Sequence, residues 1–105
     1  MSELPQTIAL RTFDYIKEAD ALIKAAKRLT RDTVDPPFIR NIQIVNLINQ
    51  ARIRLDKSMN AMIEMKDKYR DWHPAGHTAR NAIPVINDLI NKSIDVENDL
   101  KRFNV

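Results

Sequence analysis

The stretch PPFIRNIQIVNLINQARIRLDKSMNAMIEMKDKYRDW, residues 36–72, decides the fold of this 105-residue chain. Its apolar residues keep one phase on a 3.6-residue wheel, which predicts one long amphipathic helix. At 1.5 Å per residue this helix is about 50 Å long. Its core-facing stripe comprises Ile44, Leu47, Ile48, Ala51, Leu55, Met59, Met62, Met65, Tyr69 and Trp72.

A first helix is predicted over residues 5–30, where large apolar side chains recur every seven positions with small ones between them. The intervening DTVDPP, residues 32–37, breaks the pattern. Pro36 and Pro37 cannot continue a helix but suit its first turn, and Asp35 is the expected N-cap of the long helix. The large residues of the first helix are Ile8, Tyr15, Leu22 and Leu29, and the small ones are Thr12, Ala19 and Ala26.

A third helix is predicted over residues 78–103, with Thr78 as N-cap. Pro84 would then occupy the sixth helical position, which predicts either a kink or a separate first turn over 78–82. Its apolar face follows spacings of three and four: Ala82, Ile86, Leu89, Ser93, Val96, Leu100 and Phe103, with Ile83 and Ile90 alongside.

Short links between three helices predict an antiparallel up-down-up bundle that forms a single all-α domain over residues 1–105. One Gly in the chain argues against turn-rich β architecture and against a glycine-rich phosphate loop. The absence of Cys excludes disulfides and thiolate chemistry, and it favours the cytoplasm. No apolar run has the length of a signal peptide or a membrane span, and no cofactor is expected.

The stretch KYRDWHPAGHTAR, residues 68–80, holds the only Trp, the only Gly and both His residues. His73 and His77 are four apart, but Pro74 and Gly76 between them argue against the helix that would align two imidazoles on a metal. No acidic partners with bundle-metal spacing lie nearby. The simplest interpretation is a link in which Pro74 and Gly76 end one helix and turn the chain.

The same stretch also permits an enzymatic interpretation. Arg70, a polar Asp71 and then His77 after six intervening residues resemble the motif of the helical-bundle ribonucleases called HEPN domains. The resemblance implies that Arg70 would stabilise phosphate charge and His77 would assist proton transfer, usually across a dimer interface. It covers eight residues, and Pro-Ala-Gly departs from a motif that is normally helical.

The net charge of +3 comes entirely from residues 36–73, because the flanking segments are balanced. Arg40, Arg52, Arg54 and Lys57 spread over roughly 220° of the helix wheel, so they do not form a stripe for a phosphate backbone. A closer group, Lys24, Lys27, Arg28 and Arg31, lies where the helix dipole also favours cations. Nucleic-acid binding is possible on this evidence but not favoured.

A second apolar stripe lies on the outer face of the long helix. It contains three large apolar residues that do not belong to the predicted core: Ile39, Ile42 and Ile53. Ile42, Asn46, Asn49 and Ile53 follow steps of four, three and four, the spacing of a coiled-coil seam in which Asn fixes register. This pattern predicts contact with another helix, whereas the alternative is a few ordinary exposed Ile residues.

The far end of the long helix should project beyond the shorter first helix. Met62, Met65, Tyr69 and Trp72 would then be available for a partner, and Met adapts readily to such contacts. We therefore predict a small helical interaction module that is a homo-oligomer or binds a protein partner. The alternatives are a nucleic-acid-binding accessory protein and a metal-independent ribonuclease. The 13 Ile and 9 Asn residues are compatible with an AT-rich bacterial or phage genome.

Overall fold

The computed structural model describes residues 3–32, 34 and 36–103. Within them the chain forms three helices and no strand: α1, Pro5–Leu29; α2, Pro37–Lys68; and α3, Pro74–Phe103. Each helix packs against the other two, and the α1–α2 contact is the most extensive. This arrangement confirms the predicted up-down-up three-helix bundle.

Proline determines where the helices start. Pro5 occupies the first turn of α1 after an extended Leu4, and Pro37 does the same for α2 after Pro36. Proline suits this position because its fixed φ is already helical and its missing N–H would have no helical acceptor there. The predicted N-cap Asp35 lies outside the described residues.

The core is built from one face of each helix, and small side chains are abundant in it. Ala19 and Ala26 of α1, Ala51 of α2, and Ala79 and Ala82 of α3 are buried, so helix axes can approach closely. The larger core residues fill the space between these close contacts: Ile23, Ile44, Ile48, Leu55, Met62, Met65, Ile86, Leu89 and Val96. The predicted phases of the three helices are therefore confirmed, except that Trp72 lies beyond the end of α2 and is exposed instead of facing the core. The side chain of Phe103 lies outside the described part of the chain.

The boundary between α2 and α3 differs from the prediction. Helix α2 ends at Lys68 instead of residue 72, and α3 begins at Pro74 instead of residue 78. Pro74 thus starts a helix and does not end one. Thr78 is not an N-cap, and residues 78–82 are not a separate turn, since α3 runs unbroken through Pro84.

The bundle is elongated, with Cα extents of 51, 22 and 16 Å. The longest extent is close to the length of α2, about 48 Å for 32 helical residues. None of the helices in the described chain is both long enough and apolar enough to span a lipid bilayer.

Candidate interaction surface

The outer face of α2 is exposed where the sequence predicts a second apolar stripe. Ile39 and Ile42 are each about half exposed, and Ile53 is 56% exposed. Asn46 and Asn49 between them are also exposed. The predicted position of all five residues, opposite the core, is confirmed.

The stripe is longer than the sequence pattern indicated. After Ile53 the alternation of three and four residues continues to Ile63, which is also exposed. All eight positions, hereafter the α2 stripe, are exposed: Ile39, Ile42, Asn46, Asn49, Ile53, Asp56, Asn60 and Ile63. The extension of the stripe from Ile53 to Ile63 is not apparent from the sequence because Asp56 lies within it, and a charged residue is not expected in an apolar seam.

Two further apolar side chains flank the α2 stripe near the start of the helix. Phe38 is 75% exposed and Val45 is 43% exposed. Phe38, Ile42 and Val45 are separated by four and three residues, so they lie on one side of the helix. The spacing was available in the sequence, but Val45 directly follows buried Ile44, which obscures its outward direction.

The predicted projecting end of α2 requires correction. Met62 and Met65 are buried within the chain, and Tyr69 is partly buried against the core. The start of α1 and the start of α3 both reach the end of α2, where residues of all three helices meet. Of this predicted group only Trp72 is free, with 79% of its surface exposed.

Residues 69–73 form a tight turn that leads directly into α3. The Nδ1 atom of His73 accepts the N–H of Ala75 at 3.0 Å, and its carbonyl accepts the N–H of His77. His73 is therefore the N-cap of α3, since its side chain satisfies an amide that the helix leaves unpaired. The His73 ring also packs on Tyr69, with the ring centres 4.5 Å apart.

The sequence argued against a metal site because Pro74 and Gly76 made a helix between the two His residues unlikely. Residues 74–77 are nevertheless helical, so that argument does not hold. One imidazole is engaged instead as a helix cap, through the Nδ1 atom of His73. In the part of the chain that the structure describes, no group of three or more His, Asp or Glu side chains could hold a metal ion.

The residues of the ribonuclease resemblance lie at the same end of the bundle. Arg70 is exposed in the turn, and His77 is exposed in the first turn of α3. Asp71 forms an ion pair with Arg80, and the carbonyl of Arg70 accepts the N–H of His73. These contacts stabilise the turn, and none of them joins the side chains of Arg70 and His77.

The basic residues of α2 are mostly engaged within the bundle. Arg52 pairs with Glu97 of α3 at 2.8 Å, and Arg54 pairs with Glu18 of α1 at 2.9 Å. The ammonium group of Lys57 lies 5.8 Å from the centre of the Tyr15 ring. These contacts join α2 to α1 and to α3.

The predicted cationic group of α1 also has an internal partner. Lys24 pairs with Asp20 one turn earlier, at 2.9 Å.

Comparison of the sequence with models of known protein families, with curated proteins and with solved structures finds no match.

Proposed function

We propose that this protein is a small helical interaction module that self-associates through the α2 stripe. The observation that carries the proposal is the exposure of eight consecutive seam positions along 25 residues of one helix, on the side away from the core. Spacings of three and four over that length are the geometry with which two helices interlock side chains. Four of the eight positions carry Ile, and the outer helix face of a monomer has no need for four large apolar side chains in one row.

A second copy of this chain is the partner that the pattern fits best. Four positions of the α2 stripe form a palindrome in both residue type and spacing. They are Ile42, Asn46, Asn49 and Ile53, with spacings of four, three and four. Two antiparallel copies related by a two-fold axis would therefore place Ile42 opposite Ile53 and Asn46 opposite Asn49. A two-fold contact requires such a self-complementary surface.

The two Asn residues at the centre of the α2 stripe agree with this arrangement. An Asn side chain carries both a hydrogen-bond donor and an acceptor, so two facing amides can satisfy each other. Buried Asn pairs lower the stability of a seam but select one register and one number of chains. In the same register Phe38 is level with Lys57 and Gln43 is level with Arg52, so like charges do not meet at these flanking positions.

The test is the double substitution Ile42→Lys with Ile53→Lys, measured by size exclusion with light scattering at low micromolar concentration. We expect the mass to fall from that of a dimer to that of a monomer, because burial of an unpaired ammonium is costly. Circular dichroism should change little, since both residues lie opposite the core.

A control pair on other exposed surfaces, Leu10→Lys with Val85→Lys, should keep the dimer mass. A wild-type protein that is monomeric at high micromolar concentration would contradict the proposal.

The direction of the pairing has its own test, because the chain contains no Cys. In the antiparallel register, the two copies of residue 42 are about 16 Å apart along the helix axis, too far for a disulfide. Ile42→Cys and Ile53→Cys proteins should therefore not cross-link alone but should form a disulfide-linked heterodimer when mixed and oxidised. Cross-linking of either protein with itself would instead indicate parallel pairing.

A further inference from the structure

The end of the bundle that carries Trp72 also contains a cleft. It opens where the start of α1, the end of α2 and the start of α3 meet, and its volume is 560 Å³. That volume is within the range of about 300–1,000 Å³ typical of ligand pockets. Its walls contain no Asp, Glu, Lys or Arg and include Leu4, Pro5, Ala9, Met65, Tyr69 and His73.

Trp72 stands at the edge of this cleft without entering it. The next residue, His73, lines the cleft, and the Trp72 ring centre lies 6.1 Å from the His73 ring centre. The turn beneath Trp72 is held by the Asp71–Arg80 ion pair and by the hydrogen bond from His73 to the carbonyl of Arg70. The indole is therefore presented from a fixed backbone, which lowers the entropy lost when it is buried.

From this juxtaposition we infer that Trp72 inserts into the cleft of a second copy of this chain, while the Trp72 of that copy enters the first cleft. A protruding apolar group beside an apolar cleft is self-complementary under a two-fold axis. Near this end Glu3 pairs with Arg11 and Asp71 pairs with Arg80 within each chain, so these charges are balanced, whereas Lys68 and Arg70 are exposed cations.

The area involved sets the strength of this contact. A Trp side chain buries about 150–250 Å², so two indoles and the walls that receive them would bury roughly 600–1,000 Å². Stable protein interfaces start at about 1,200 Å², and smaller ones are transient. The contact is therefore weak, and it does not depend on pairing through the α2 stripe.

Two separate two-fold contacts on one chain would allow assemblies larger than a dimer. A copy that pairs through the α2 stripe still presents its Trp72 end, so dimers can join through their ends into tetramers or longer chains. Concentrated protein should consequently exceed the mass of a dimer.

The test uses the fluorescence of Trp72, which is the only Trp in the chain. Measurements are made on the Ile42→Lys, Ile53→Lys protein, so that pairing through the α2 stripe does not contribute. Between micromolar and millimolar concentration, we expect the emission to shift to shorter wavelength and quenching by iodide to decrease as dimers form. Emission of a solvated indole throughout this range would overturn the inference, whatever the fate of the α2 stripe.

Two variants in the same background make the test specific. Ala9→Leu narrows the cleft and keeps Trp72, so it should abolish the emission shift. Trp72→Ala has no Trp emission and is followed instead by light scattering, where the concentration of half-association should rise at least tenfold, as expected for the central side chain of a small interface. Leu10→Ala, which removes an exposed apolar side chain outside the cleft, is the matched control and should leave the shift intact. A shift that survives Ala9→Leu would place the indole elsewhere and overturn the inference.

Discussion

Gly76 lies inside the first turn of α3, where the absence of a side chain allows the preceding turn to pack against the helix. A Cβ atom at this position would collide with the carbonyl oxygen of Arg70 and would lie 2.9 Å from that of Tyr69. Its φ angle is not positive, so the need for glycine here is steric and not conformational. The sequence suggested a helix-ending glycine, which is the commoner role.

Substitution Gly76→Ala tests this steric requirement. Alanine normally stabilises a helix relative to glycine by about 1 kcal/mol, but here we expect a loss of about 1–3 kcal/mol from overpacking. The free energy of unfolding in urea is the measurement. The control Asn81→Ala, at an exposed position of the same helix, should not destabilise. A gain in stability for Gly76→Ala would show that the turn moves aside at no cost.

His73 shows why the start of α3 was misplaced. Ser, Thr, Asp and Asn are the usual N-cap residues, and Thr78 is the first of these after the turn. The imidazole of His73 fills the same role because its unprotonated nitrogen accepts a backbone N–H. Pro74 at the first helical position is the signal that agrees with the observed start.

At the scale of the helices, α3 continues through Pro84 although proline usually interrupts a helix. Pro84 has no N–H to donate to the carbonyl of Arg80, and its ring crowds the preceding turn. Buried residues on both sides of it, Ala82 and Ile86, hold α3 against the core. Tertiary packing therefore compensates for the local cost.

Replacement of Pro84 by Ala should stabilise the protein by about 1–3 kcal/mol, because the missing hydrogen bond is restored and the crowding is relieved. Thermal unfolding followed by circular dichroism measures the effect. Asn91→Ala at another exposed position of α3 is the control, and differences in helix propensity limit its gain to about 0.7 kcal/mol. A gain no larger than that of the control would mean that Pro84 costs the helix little.

At the scale of the whole molecule, an elongated bundle exposes long helix surfaces relative to the volume of its core. The α2 stripe follows the long axis of the molecule, whereas Trp72 and the cleft lie at one end. The two proposed contacts therefore use different surfaces and can be separated by mutation.

The choice of assembly is predicted to depend on Asn46. Asn46→Ile should keep or raise the thermal stability of the assembly, since an apolar residue replaces a polar one in the seam. It should also permit more than one oligomer, visible as several masses in size exclusion with light scattering. Asn91→Ile places the same change on an exposed position of α3 and should leave a single mass. If Asn46→Ile behaves like this control, residue 46 does not lie in an interface.

The sequence by itself determined the class of fold, the phase of each core face and the exposure of the α2 stripe from Ile39 to Ile53. These features follow from side-chain periodicity, which is local information. The sequence also placed Met62 and Met65 on the core face, but whether other helices of the same chain cover them was decided by tertiary structure alone. The same holds for the steric role of Gly76 and for the cleft beside Trp72. Each depends on how far α1 and α3 reach along α2, and that reach is set by contacts between residues that are distant in the chain.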